Sequence, residues 1–286
     1  MNLQNPKKFK LLIDQAHEVA LNVLRPISRK YDKAEHAYPK ELDMLASVVD
    51  GMNAGSEGMN AGAAVNKRGD TDTSNKNGVN MSTALSIIEM CYGDTGLLLS
   101  MPRQGLGNSA IAAVANEEQL TRFEGTWAAM AITEPGCGSD SAAIRTTATK
   151  DGDDYILNGE KIFVTSGERA DSVVVWATLD KNLGRAAIKS FVVLKGTPGM
   201  KVERLEHKLG IKASDTAAIS FVDCRVPAAN LLGNADIDVA KGFAGVMETF
   251  DNTRPLVAAM AIGCAKASLE RIKEIFKDQL DSEYST

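Results

Sequence analysis

The chain runs to 286 residues and 30.5 kDa, long enough for more than one packed unit. Its 44% hydrophobic and 24% charged residues fit a soluble globular protein. The net charge of −5, with no concentrated basic face, argues against nucleic acid as a partner.

Leu12, Ala16, Val19 and Val23 recur at helical spacing and predict an amphipathic helix over residues 6–24. Pro39 is suited to open a second helix carrying Leu42, Leu45 and Val49 on one face. Between 51 and 80 the chain turns to Gly, Asn and Ser with almost no large apolar side chains, which predicts a mobile loop. Helical pattern returns at 82–91 and again from Leu97. Asn116 followed three residues later by Gln119 predicts a capping box and a further helix.

From Trp127 the period changes. Residues 127–133, 144–150, 155–157, 161–165, 173–178, 190–194 and 217–222 are short apolar or alternating runs. Asp151-Gly152, Asn158-Gly159 and Thr197-Pro198-Gly199 separate them as turn signals. Seven short strands predict a small antiparallel barrel or sandwich. After Gly233 the pattern is helical to the end. Phe243, Val246, Met247, Phe250, Val257, Ala261, Cys264, Ala265, Leu269 and Ile272 form one apolar stripe, with Pro255 inside it as an expected kink. The expected architecture is α+β and multidomain: an N-terminal helical domain over 1–126, an antiparallel β-barrel domain over 127–233, and over 234–286 the first helix of an incomplete C-terminal bundle. That helix is expected to lack a packing partner.

The four cysteines form no Cys-x-x-Cys pair, no apolar h-region follows Met1, and no apolar run reaches bilayer length. A cytoplasmic chain with reduced thiols and no membrane contact is therefore expected. His17, His36 and His207 are too far apart in sequence to form a local metal signature, so no metal is expected.

No GxGxxG follows a strand and no GxxxxGK[ST] occurs, which leaves the usual α/β dinucleotide folds without support. The segment ITEPGCGSD from Ile132 to Asp140 has small and rigid residues that let backbone N–H groups turn towards a ligand, with the hydroxyls of Thr133 and Ser139 beside them. A plain Gly-rich turn between strands is the alternative.

This segment, with DDYILNGEKIFVTSG from Asp153, HKLGIKASDTAAISFVDCRVPAANLLG from His207 and ETFDNTRPLVAAMAIGCAKASLE from Glu248, resembles the acyl-CoA dehydrogenase family in content and order. With GDTGLLLSMPRQGLGN at 93–108, the resemblance covers roughly 81–270. It implies FAD as cofactor, held by Met130, Ala131, Ile132, Thr133, Gly138 and Ser139 and by the strand residues Phe163, Val164 and Thr165. Thr133 and Thr165 would lie near the flavin's reactive ring. Phe163 stands where many members carry Trp, and as an aromatic on a strand it could equally be core. Ser139 would touch both cofactor and thioester. Asp251 and Arg254 would hold coenzyme A, or form an exposed i,i+3 ion pair. Met101 and Pro102 would line the acyl cavity, or simply pack a helix.

The chemistry implied is proton removal from the α carbon of an acyl-CoA and hydride transfer from the β carbon to flavin, giving the trans-2-enoyl-CoA. Thr253, placed by the resemblance among the substrate-binding residues, occupies a position where a minority of members carry the catalytic glutamate, and threonine is no base. Glu134 is better suited to capping backbone N–H groups, and Glu248 is turned about 140° away on its helix. No catalytic base is therefore assigned. The resemblance further implies an electron-transfer flavoprotein as acceptor and a homo-oligomer, dimer or tetramer, once a C-terminal bundle is present. The alternatives are a non-catalytic or half-site subunit of a heteromeric enzyme, or an oxidase-like relative.

Overall fold

The computed structural model describes residues 7–53, 79–237 and 244–283. The helical part starts with α1 (Lys10–Val19) and α2 (Arg25–Lys33), joined without a break by a π turn at Ala20–Leu24. The helix expected to end at 24 therefore runs nine residues further. Pro26 explains the joint. It has no N–H to donate and its ring crowds the preceding turn, so the helix widens ahead of it, with the Arg25 N–H reaching back five residues to the Ala20 carbonyl. Ala16, Ala20 and Leu24 are buried on this helix.

Leu42 and Leu45 are buried on α3 (Glu41–Asn53), and α4 spans Val79–Gly93. The two ends of the expected 51–80 loop thus belong to helices, and the remainder lies outside the described residues. The short α5 (Thr95–Leu99) is capped by the Asp94 carboxylate, which accepts from the Leu97 N–H at 2.8 Å. After α6 (Leu106–Val114), α7 (Glu117–Arg122) opens with the expected capping box, its two hydrogen bonds 2.9 and 3.1 Å long.

Seven strands follow: β1 (Ala128–Ala131), β2 (Thr147–Asp151), β3 (Asp154–Thr165), β4 (Ser172–Thr178), β5 (Ile188–Leu194), β6 (Met200–Leu205) and β7 (Thr216–Pro227). Their order is β1-β4-β2-β3-β7-β6, with β5 paired on β4. The sheet is mixed rather than antiparallel, because β4 runs parallel to both β1 and β2. Long connections separate β4 from β1 and from β2 in the chain, so no hairpin forces opposite directions.

The Asn158-Gly159 turn is also corrected. The runs 155–157 and 161–165 are one strand, β3, and the seventh strand is β6, whose sequence MKVERL carries too little apolar alternation to announce itself. Asn158 exchanges two hydrogen bonds with Asp223 across a bulge in β7. A Cβ at Gly159 would fall 2.4 Å from the Thr146 hydroxyl oxygen, so glycine here permits close approach of a neighbouring segment. Asp151-Gly152 does mark a tight turn, with Asp151 paired to Asp154.

All seven residues of β4 are buried, Val173, Val175 and Ala177 on one face and Val174 and Trp176 on the other. The first face meets Tyr155, Leu157, Val164, Phe191, Ile219 and Phe221. The second meets Ile111 of α6 and Val246 of the last helix, α8 (Ala244–Glu283). That two-sided burial explains an apolar run without alternation.

Contrary to expectation, α8 is partnered, packing along α4 and against α6. Its packed face carries Thr249, Thr253, Leu256, Ala259, Met260 and Gly263. Most of the expected stripe is exposed, including Met247, Val257, Cys264, Leu269 and Ile272, while Phe243 lies outside the described residues. Pro255 sits inside the continuous helix. Gly263 sets the contact: a Cβ there would meet the Ile88 carbonyl oxygen at 2.3 Å. Beside it Lys266 pairs with Glu89 at 2.7 Å, and Tyr92 donates to Glu270 at 2.6 Å. Small and polar side chains alternate with Leu256 and Met260 at this interface, whereas most of the large apolar residues of the helix lie on the other face. Among the described residues no helix is long and apolar enough to cross a membrane.

Candidate flavin and thioester site

The site is built on an irregularity in β3. Between Lys161 and Val164 the pairing with β7 advances three residues on β3 for two on β7. The extra residue brings a positive φ of 57° at Phe163. A bulge of this kind throws its side chain out of the alternation. Lys161 and Val164 both point inward and are fully or almost fully buried, whereas Phe163 stands 60% exposed. A large aromatic ring left in solvent on an otherwise well-packed strand costs apolar burial, and it offers a flat face to a ligand.

The ITEPGCGSD loop lies alongside. The Ile162 N–H donates to the Thr133 carbonyl at 2.9 Å, which places the start of the loop next to Phe163. A tight turn from Glu134 to Cys137 is closed by two backbone hydrogen bonds between them, 2.9 and 3.1 Å long. Pro135, Gly136, Gly138 and Ser139 are exposed, and Thr133 is half-buried.

What holds the loop is charge in a dry place. Glu134 is buried and accepts from the Arg145 N–H at 2.7 Å, the Thr146 N–H at 2.9 Å and the Thr146 hydroxyl at 2.6 Å. Lys161, with no exposed surface, donates to Glu134 at 2.7 Å and to the Ile132 carbonyl at 3.0 Å. Burial alone would raise the Glu134 carboxyl, but Lys161 and the hydrogen bonds overcome it and hold the group below its ordinary value of 4.5. As expected from sequence, Glu134 is a capping carboxylate, and its commitment to four donors removes it as a base. Lys161 was not singled out by the sequence, although a lysine at an inward position of an alternating strand was a legible signal.

A second buried pair fixes the far end of the strand. Arg169 Nε lies 3.3 Å from Asp215 Oδ1, and the other Asp215 oxygen accepts from the Glu168 N–H at 3.0 Å. Arg169 also donates to the Ala213 carbonyl at 2.9 Å, tying the turn after β3 to the segment before β7.

The remaining expected residues fall in three groups. Ala131, Ile132 and Val164 are buried as whole residues, so neither their side chains nor their backbones are open to solvent; Met130 and Thr165 are half-buried. Val246 and Phe250 of α8 share an apolar cluster with Ile132, Met130 and Cys137, which brings α8 against the loop. One turn on, Asp251 and Arg254 are exposed and form a loose pair at 3.5 Å, with the guanidinium over the Phe250 ring. Thr253 is buried and its hydroxyl donates to the Phe250 carbonyl at 3.4 Å. Met101 and Pro102 are buried, and Met101 shares a cluster with Leu97, Leu98 and Ala259 of α8.

The chain thus combines a helical layer, a curled mixed sheet and a solvent-facing aromatic beside a locked Gly-Ser loop. The sequence model described as "Acyl-CoA dehydrogenase, middle domain" matches residues 129–224. The short-chain-specific acyl-CoA dehydrogenase of Clostridium acetobutylicum is 31% identical over 98% of this chain and 71% of its own length. The butyryl-CoA dehydrogenase structure from Megasphaera elsdenii superimposes with a TM-score of 0.74 at 30% identity, over 94% of this chain and 69% of that one. A chain from the structure described as the electron transferring flavoprotein of Acidaminococcus fermentans gives a TM-score of 0.75 at 32% identity, covering 94% and 68%. The chain belongs to the acyl-CoA dehydrogenase family.

Proposed function

We propose that this chain holds FAD with its ring against Phe163, Thr133 and Thr165, and that it belongs to an enzyme oxidising a fatty acyl-CoA to the trans-2-enoyl-CoA. The observation that carries the reading is the Phe163 bulge beside the Thr133–Ser139 loop. An exposed aromatic face with the half-buried Met130 beside it, and the flanking hydroxyls of Thr133 and Thr165, fit a flat heteroaromatic ring. When bound, FAD supplies the hydride acceptor that no side chain provides.

The chain's own groups then have distinct tasks. The Glu134–Lys161 pair keeps the loop in one conformation, so Gly138 and Ser139 meet cofactor and thioester without reorganisation. Beyond Ser139 a cavity of about 450 Å³ is lined by Ala142, Ile144, Arg145, Thr178 and Lys181. Its two cations suit the phosphates of coenzyme A, as do Arg254 and Asp251 the polar groups of its tail. Met101 and Pro102 supply apolar wall for the acyl chain. Thr253 directs its hydroxyl at its own helix, and Glu134 is fully committed. The carboxylate that removes the α proton is assigned to no residue of this chain.

An electron-transfer flavoprotein as acceptor, a homo-oligomeric dimer or tetramer, and a cytoplasmic setting belong to the same proposal. The flavoprotein neighbour supports the first. The exposed row of Ile262, Leu269, Ile272 and Phe276 on α8 supports the second. Loading the chain with FAD and titrating it anaerobically with acyl-CoAs from butyryl to palmitoyl tests the reading. At least one should perturb the bound-flavin spectrum. A bound flavin indifferent to every chain length contradicts the acyl-CoA assignment.

A further inference from the structure

The fold brings together two of the histidines that the sequence keeps 171 positions apart (His36 and His207). Glu35 and His36 lie between α2 and α3, and His207 follows β6 at the edge of the sheet. Glu35, His36 and His207 each offer one ligand atom, all within 4.8 Å of one another. Glu35 Oε2 is already 2.9 Å from His207 Nδ1, and the two imidazole centroids are 5.2 Å apart.

Two further features single this cluster out from a surface ion pair. Both ring nitrogens of His36 are shielded from solvent and have no hydrogen-bond partner, which is costly for an imidazole unless something else satisfies it. His36 also sits at a φ of 70°, a left-handed conformation that is uncommon even though histidine adopts it more readily than most residues, and here its surroundings hold it. Those surroundings are visible: Arg169 donates to the His36 carbonyl at 3.3 Å and to the Ala37 carbonyl at 3.0 Å.

The carboxylate is oriented as well. The Lys208 N–H donates to Glu35 Oε1 at 2.9 Å, leaving Oε2 to face the rings. The Lys208 ammonium is turned elsewhere, onto the Ser214 carbonyl and the Thr216 hydroxyl.

We propose that Glu35, His36 and His207 form a divalent transition-metal site that ties the helical layer to the sheet edge. Two imidazoles and one carboxylate match the ligand chemistry of zinc, cobalt or nickel rather than calcium or magnesium, with water completing the shell. Metal bonds of about 2.0–2.2 Å require the ligand atoms to close in somewhat, and His207, 83% exposed, is free to rotate. The site is independent of the flavin shelf.

Cobalt(II) titration of the chelator-treated chain tests this directly, followed by zinc in a thermal melt. Wild type should take up one equivalent of cobalt with a visible d–d spectrum lacking thiolate charge transfer, and saturating zinc should raise its melting point by about 5 °C. His207→Ala should lose both effects at least tenfold while melting like wild type without metal. His36→Asn, which tolerates the same backbone conformation, should also lose them. Equal uptake by either variant, a thiolate-type spectrum, or no saturable uptake by wild type below about 1 mM overturns the proposal.

Discussion

The loop at residues 134–139, with the β3 bulge beside it, and α8 use charge and apolar surface in opposite ways. At the loop, the ions are inside: Lys161 is fully buried against Glu134, and the apolar ring of Phe163 is outside. On α8, the ions Asp251 and Arg254 are outside, and small or polar residues such as Thr253, Ala259 and Gly263 are inside. A buried pair fixes one geometry because breaking it strands a charge, whereas an exposed pair constrains little. The loop is therefore fixed in one geometry, and the α8 pair is exposed and loosely held.

The sharpest way to break that contrast is Lys161→Met. Leaving Glu134 buried without its cation should cost about 3–5 kcal/mol in urea unfolding. A loss under about 1 kcal/mol would show the pair to be hydrated, like those on the surface.

Acid gives a smaller effect with a definite sign. The Glu134 carboxyl is lowered in the folded chain, so its contribution is full above the unfolded value near 4.5 and is lost as pH falls through the lower folded value. The urea midpoint should start to drop as pH falls below about 4.5, and this contribution should vanish in Lys161→Met. An unchanged pH profile in that variant would separate the acid loss from this pair. Asp251→Asn should be smallest, within about 0.5 kcal/mol of wild-type stability. If coenzyme A is bound where proposed, the same variant should raise the Kd for an acyl-CoA without moving the melting point.

How much of this was legible follows the same division. Regularities with a local cause were readable: the Asn116–Gln119 box, the Asp151-Gly152 turn, and Glu134 as a capping group. Features set by distant partners were not. Asn158-Gly159 carries a hairpin signature, but the space it meets is the bulge of β7 and the close approach of Thr146. The α8 stripe was read from side-chain size, yet its packed face is decided by how near α4 can come at Gly263. Lys161 was legible as an inward lysine on a strand, but its partner was not, because Glu134 lies 27 residues earlier. The shelf residues came from family resemblance. The φ of 57° that pushes Phe163 outward has no sequence marker, because glycine would normally announce it.

The central claim is that Phe163 is held outward to support a flavin. The most direct measurement is FAD affinity by fluorescence titration of the full chain and its Phe163→Ala variant, with melting curves beside them. Since the ring is exposed, the variant should keep its stability within about 0.5 kcal/mol. It should bind FAD about tenfold more weakly, the scale of a lost aromatic stacking contact. Equal FAD affinity in the two proteins, with equal melting, would contradict the account.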